Sequence, residues 1–217
     1  SKGFKHKNIA RINGKTLLEH AIRVGLNCPK INDVYVSTDS PEYEQIALDA
    51  GAQSLGLRPV YLATDTAKIT DVLFDLLKNL HNIYDFLVLL QPTSPVRTSQ
   101  DIENMIRLMI GKNASSCVSL SRLDEPHPYK LKIINEHGFV ESFLQGSSSE
   151  ISRQLLPEAY KLNGALYTVR YDQFMKHKTF FYPDTLPYIM PIGINIDTEY
   201  DFMLLEALVE RQQIILL

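Results

Sequence analysis

The 217-residue chain has little cysteine, no run of basic residues and no long apolar stretch, and each shortage removes a class of protein. Its two cysteines, Cys28 and Cys117, share no short spacing with each other or with histidine, so neither a disulfide framework nor a zinc site is expected. Both read as small apolar core residues. With 22 Lys and Arg against 25 Asp and Glu the net charge is −3, and no aromatic-basic interleaving offers a footprint for a phosphate backbone. Nucleic acid and an anionic membrane surface are therefore not expected partners. No apolar segment reaches the roughly 20 residues of a membrane span, and the opening SKGFKHKN lacks the apolar core of a signal peptide. A cytoplasmic protein is expected. The length suits one α/β domain with a sizeable core, or one domain carrying a smaller insertion.

What is present is an alternation of strand and helix signals. Asp33 to Ser37, Phe86 to Leu90 and Ser116 to Leu120 read as strands. Between them, Ser40 and Pro41 open a helix that Gly51 closes. Ile69, Val72, Leu73, Leu76, Leu77 and Leu80 form one apolar stripe at helical spacing, and Ile102, Met105, Ile106, Met109 and Ile110 form a second. Strands separated by such helices imply βαβ crossovers and a largely parallel sheet. From Pro126 to about Pro191 the alternation gives way to hairpin signals, including Lys130 to Ile134, a His137-Gly138 turn and Ala165 to Arg170. This stretch reads as an inserted subdomain. Its aromatics, among them Tyr160, Tyr167, Tyr171, Phe174, Phe180, Phe181, Tyr182 and Tyr188, are expected to pack on the main body or on a second copy. Thr198 and Asp201 have capping-box spacing for a last helix.

Four places carry candidate chemistry. After FLVLL, the residues Gln91, Pro92, Thr93, Ser94, Pro95, Val96 and Arg97 form a rigid polar corner, because each proline fixes φ and removes a donor. Such corners at the ends of strands are where open α/β sheets bind ligands, and a plain strand-to-helix loop is the alternative. Ser1, Lys2 and Gly3, followed by Lys7 and Asn8, suit a polyphosphate, with two lysines to neutralise it and a glycine to let backbone approach; a solvated basic terminus is the alternative. Gly14-Lys15-Thr16 is not a P-loop, since no strand leads into it and its first glycine position holds Ile9; a turn feeding the Thr16 to Leu26 helix explains it. In Ile194 to Thr198, a short β-like alternation puts Asn195 and Asp197 on one face. Magnesium commonly takes one or two protein carboxylates and completes its shell with water and phosphate, so Asp197 is a candidate anchor beside Asn195. An ordinary acid at a helix start is the alternative. On the insertion, Lys130, Arg153, Lys161, Asn163 and Tyr167 would make a cationic, hydrogen-bonding surface.

Taken in order, these segments resemble the acylneuraminate cytidylyltransferase family over nearly the whole chain. The marks are SKGxxxKN at Ser1 to Asn8, VYVSTDS at Val34 to Ser40, RP then LATDTA at Arg58 to Ala67, LLQPTSPVR at Leu89 to Arg97, RQ then NGALY at Arg153 to Tyr167, and IDTEYDF at Ile196 to Phe202. The resemblance implies a Rossmann-like, mostly parallel sheet with flanking helices, of the nucleotide-diphospho-sugar transferase type, with a β-rich dimerisation insertion at about 126–191 in a single domain. It implies transfer of CMP from CTP to a nine-carbon 2-keto sugar acid, with magnesium, in a homodimer. Lys2 and Lys7 then match triphosphate contacts, with Ser1, Gly3 and Asn8 beside them. Gln91 lies next to nucleotide and sugar, and Asp197 matches a metal ligand. Arg153, Asn163, Tyr167 and Phe181 match sugar-acid contacts, joined by Lys161, and Lys130 matches a residue reaching the neighbouring subunit's site.

Three departures stand out. The family places an apolar central strand and an Ala-Arg-x-Gly lead ahead of the position of Ser1, so a fragment of a longer chain is expected. Asn195 stands where many relatives carry a second Asp, which predicts weaker magnesium binding. Lys161 replaces an arginine and cannot offer a carboxylate a bidentate fork. A CMP-Kdo synthetase and a catalytically weakened nucleotide-sugar binding module are the competing readings.

Overall fold

Polar side-chain caps set where four of the α-helices begin. The computed structural model describes residues 4–80, 82–123, 125–146 and 149–216, without the side chain of Arg153. In chain order the elements are β1 (Arg11–Ile12), β2 (Lys15–Thr16), α1 (Leu17–Leu26), β3 (Tyr35–Val36), α2 (Pro41–Asp49), β4 (Gln53–Ser54), α3 (Ile69–Leu77), β5 (Phe86–Leu89), α4 (Ser99–Lys112), β6 (Ser116–Arg122), β7 (Lys132–Ile134), β8 (Val140–Ser142), β9 (Tyr160–Arg170), α5 (Tyr171–His177), β10 (Leu186–Ile189) and α6 (Glu199–Glu210). Thr16 with Glu19, Thr98 with Asp101 and Thr198 with Asp201 form complete capping boxes on α1, α4 and α6. Ser40 caps α2, with Pro41 in its first turn. The Gly14-Lys15-Thr16 segment is the β1–β2 hairpin, whose Asn13 and Gly14 both adopt positive φ, and it delivers Thr16 as the cap of α1.

The main sheet has the order β10-β6-β9-β5. β10 runs parallel to β6, while β9 is antiparallel to both β6 and β5, so three of the four strands point one way. Helices cover both faces. On one, Ile102, Met105, Ile106 and Met109 of α4 pack on Cys117, Ala165 and Leu166. On the other, Leu73 and Leu77 of α3 pack on Val118, Val169, Phe174 and Phe180. Ile69 and Ile110, at the ends of the two expected stripes, remain exposed.

The stretch 126–191 divides differently from the expected insertion. Only the β7–β8 hairpin forms its own small sheet, whereas β9 lies at the centre of the main sheet, β10 at its edge, and α5 packs on β9. The physical reason is burial on both faces: Ala165, Leu166, Thr168 and Val169 are all inaccessible, and only a central strand offers that environment. Of the aromatics in this stretch, Tyr167, Tyr171, Phe174, Phe180 and Tyr182 join the α3-side core and Tyr188 the α4-side core, while Tyr160 and Phe181 stay exposed.

Among the described strands β3 pairs only with β4, in a separate two-stranded parallel unit packed on α1 and α2. Between this unit and the outer edge of β5 lies a cavity of about 560 Å³, lined by the consecutive residues 33–39 and 84–93 and walled by α1 and α3. Among the described strands, β3 and β5 each present an unpaired backbone edge to it.

Candidate active site

The proline-braced corner and the N-terminal segment meet at the polar end of this cavity, and the Ile194–Asp197 stretch, which does not itself line it, is hydrogen-bonded to both. Gln91 leaves β5 half-buried, and its carbonyl accepts the Ser94 amide at 3.1 Å, which closes a turn around Pro92 and Thr93. The Ile196 amide donates to the Thr93 carbonyl at 2.7 Å, tying the corner to the later segment. Residues 194–197 form no assigned strand, yet Ile194 and Ile196 are buried and Asn195 and Asp197 exposed, so the expected two-residue alternation holds.

The side chains then form a chain of hydrogen bonds. Ser94 Oγ donates to Asn195 Oδ1 at 3.0 Å. Asn195 Nδ2 donates to Asp197 Oδ2. Lys7 Nζ donates to Asp197 Oδ1 at 2.8 Å, across 190 positions of sequence, with the lysine side chain 18% and the aspartate 64% exposed. Asn8 and Lys7 both line the cavity mouth, together with Thr38, Asp39 and Arg58. Arg58 is held there by Ser37, and burial pushes its guanidinium below the usual arginine range. Asp201 is desolvated by burial, which would raise its pKa, but bonds from the Thr198 side chain and the Thr198 and Asp197 amides outweigh this and hold it below the ordinary carboxylate value.

Beneath the corner lies Arg97, 3% exposed. Its Nη1 donates to the carbonyls of Gln91 and Ser94 at 2.8 Å and of Ala165 at 2.9 Å. Burial pushes its pKa down to about 9. Gly164 backs the same corner with φ +74°, and a Cβ there would sit 2.6 Å from Ser94 Oγ and 3.0 Å from Gln91 Oε1. The chain therefore needs glycine at 164 for both conformation and space.

Other expected contacts fall elsewhere. Ser1, Lys2 and Gly3 lie outside the described residues, as does the Arg153 side chain. Asn163 is 3% exposed. Its Oδ1 accepts from Ser119 Oγ and the Ala165 amide, and its Nδ2 donates to Ser121 Oγ, so the amide braces β9 against the irregular register of β6. Tyr167 is half-buried against Phe180, with ring centroids 5.5 Å apart, and desolvation raises its phenol pKa. Lys161 and Phe181 are exposed, and Lys130 is half-buried in a short turn at Pro128–Lys130. Among the described residues, no hydrogen bond joins Lys130, Lys161 or Phe181 to the Lys7–Asp197 pair. Ser94 and Arg97 emerge as working parts that the sequence showed only as members of a corner.

The donor set can be tested against a divalent cation. Among the described residues no group of three or more His, Cys, Asp or Glu side chains could hold a metal ion. Asp197 offers one exposed carboxylate that already carries a cation, the Lys7 ammonium. Such a site fits magnesium that arrives on nucleotide phosphates, which supply most of its oxygens, and does not fit a cage made by protein alone. As placed, Asn195 turns its nitrogen to Asp197 and orients that carboxylate instead of offering a second ligand oxygen. The cavity's apolar walls and open strand edges suit extended main chain, so the polar mouth is the part suited to a nucleotide.

Comparison with known proteins bears on this geometry. A family model described as Cytidylyltransferase matches residues 1–191. N-acylneuraminate cytidylyltransferase of Streptococcus agalactiae serotype V is 31% identical over 94% of this chain and 49% of its own length. CMP-N,N'-diacetyllegionaminic acid synthase of Legionella pneumophila is 32% identical, covering 98% of this chain and 93% of that protein. The chain thus spans about half the length of the first of these curated relatives and nearly all of the second. In three dimensions it is similar to CMP:2-keto-3-deoxy-manno-octonic acid synthetase complexed with CTP, with TM-score 0.71 and 17% identity over 98% of this chain and 95% of that one, a likeness of fold.

Proposed function

The chain belongs to the cytidylyltransferase family, and we propose that it transfers CMP from CTP to a nine-carbon 2-keto sugar acid, releasing pyrophosphate. The observation that carries this reading is the meeting of Lys7, the Gln91–Ser94 corner and Asp197 at one polar mouth. Relatives named for N-acylneuraminate, N,N'-diacetyllegionaminic acid and pseudaminic acid support the class of acceptor.

In the reaction the anomeric hydroxyl oxygen forms a bond to the α-phosphorus while the bond to the pyrophosphate oxygen breaks. The electron pair leaves on pyrophosphate, and the hydroxyl proton passes to water. Negative charge gathers on phosphate oxygens, so positioned cations do most of the work and no covalent protein intermediate is required. Lys7, with Lys2, holds the triphosphate, and the backbone of Ser1 and Gly3 and the side chain of Asn8 approach it. Gln91, fixed at the end of β5, orients nucleotide and sugar. Asp197 would hold magnesium, which when bound would neutralise developing phosphate charge. Arg153, Lys161, Phe181 and Lys130 meet the sugar acid, with Asn163 and Tyr167 shaping that wall from behind.

The exposed apolar residues of the β7–β8 hairpin, Ile134, Phe139, Val140 and Phe143, support a homodimer with the hairpin at its interface. Among the described residues no helix is long and apolar enough to cross a membrane. The occupied carboxylate of Asp197 favours one alternative, a module that binds CTP without turning it over. The deciding assay is pyrophosphate release from CTP with magnesium and a panel of keto sugar acids. Release that needs the sugar acid and prefers CTP supports the proposal; equal use of UTP or ATP, or CTP binding with no release, overturns it.

A further inference from the structure

We propose that Arg97 is a positioning residue: from full burial it fixes Ser94, and through Ser94 and Asn195 it sets the orientation in which Asp197 meets a nucleotide-borne divalent cation. The inference rests on the reading of this mouth as a nucleotide and metal site.

A buried arginine is an expensive way to fill space. An apolar side chain of similar volume would occupy the same position without desolvating a charge. Arg97 nonetheless stands 3% exposed, with Nε and Nη2 lacking any partner among the described atoms. Its one engaged nitrogen carries two hydrogens yet serves three carbonyls, so at least one hydrogen is shared. Two of those carbonyls, Gln91 and Ser94, bracket the corner, and the third, Ala165, belongs to β9 immediately after Gly164. A single guanidinium thus pins the corner to the central strand, and its charge strengthens each bond over a neutral donor.

What the pin controls is visible one residue further out. Ser94 Oγ donates to Asn195 Oδ1, which leaves Asn195 Nδ2 to face Asp197. Were Ser94 free to turn, the Asn195 amide could flip and set its oxygen against the carboxylate, repelling it. Asp197 Oδ2 is held through this path and Oδ1 by Lys7. Second-layer partners of this kind usually alter metal affinity by about 10–100-fold.

The test reads Mn²⁺ binding by electron paramagnetic resonance with CTP present and no sugar acid, so that nothing turns over. Arg97→Met and Ser94→Ala are each expected to weaken Mn²⁺ by about tenfold or more. The double variant should be no weaker than the worse single one, because both act on one path. Arg97→Lys, which keeps the charge on a shorter reach, should fall between wild type and Arg97→Met. A folded Arg97→Met with unchanged Mn²⁺ affinity, or additive losses in the double variant, overturns the proposal. Should Arg97→Met fail to fold, Ser94→Ala and Arg97→Lys decide, and unchanged Mn²⁺ affinity in both overturns it equally. Wild type that binds Mn²⁺ with CTP but never releases pyrophosphate sinks the functional reading and leaves this one standing; normal turnover with Mn²⁺ affinity unmoved in Arg97→Met does the reverse.

Discussion

Gly164→Ala puts a single methyl group against the candidate site, and its cost can be worked from the geometry. The new Cβ would lie 2.6 Å from Ser94 Oγ and 3.0 Å from Gln91 Oε1, inside contact distance of both. Overpacking of this size costs about 1–3 kcal/mol. At φ +74° an alanine adds left-handed strain of about 1–2 kcal/mol. Against this, alanine restricts the unfolded chain and returns about 0.4–1 kcal/mol. The net loss is about 1–4.5 kcal/mol, which at roughly 2–4 °C per kcal/mol for a domain of this size lowers the melting temperature by about 2–18 °C. Differential scanning calorimetry on wild type, Gly164→Ala and Gly164→Ala with Ser94→Ala provides the readout. Removing the Ser94 hydroxyl takes away the nearest clash, so the double variant should recover part of the loss measured against Ser94→Ala alone. A Gly164→Ala protein melting within about 1 °C of wild type, or no recovery in the double variant, would refute the packing at this corner.

Asn195→Asp would place a second carboxylate beside Asp197, whose cation partner among the described residues is Lys7. Two such charges about 4 Å apart repel by about 1 kcal/mol in water and up to about 4 kcal/mol at a partly buried site; with Asp197 64% exposed the lower figure applies. Magnesium relieves that repulsion, so the variant's melting temperature should rise with added Mg²⁺ more steeply than that of wild type, and parallel responses would contradict it. The Thr198–Asp201 box makes a pH prediction. Because the folded pKa of Asp201 lies below its ordinary 3.8, its contribution is fully present well above that value and is lost as pH falls through the folded pKa. Asp201→Asn should therefore destabilise at neutral pH and melt with wild type in strong acid, where the wild-type carboxyl is protonated and its cap bonds are lost; an offset that persists in acid would rule out the cap as its source.

Much of this fold was legible because its helices announce themselves locally. Ser40 with Pro41 and Thr198 with Asp201 are short-range signals, and the structure places helix starts at both. The apolar run Phe86 to Leu90 becomes β5 for the same reason. β9 was harder. Its residues read as part of a hairpin-rich insertion, and the choice between a peripheral strand and one wedged antiparallel between β5 and β6 depends on partners 38 to 84 positions away, which no local pattern encodes.

The site divides along the same line. Asn195 and Asp197 were readable as a pair from their spacing, and Gln91 from the prolines after it. That Lys7 reaches Asp197 across the whole chain follows only from the folded arrangement. Arg97 was readable as a member of the corner but its burial was not, since arginine is mostly exposed and here lies fully buried under the corner it closes. Asn163 likewise reads as a contact for ligand, yet its hydrogen bonds turn inward to Ser119 and Ser121.

The most direct test of convergence is paramagnetic broadening of assigned amide resonances by Mn²⁺ with CTP. If the N-terminal segment, the corner and the last loop surround one metal-bearing nucleotide, the amides of Lys7, Ser94 and Asp197 should broaden together, at one Mn²⁺ concentration, and recover together when Asp197→Ala is substituted. Broadening confined to one of the three, or undiminished in Asp197→Ala, would contradict a shared site.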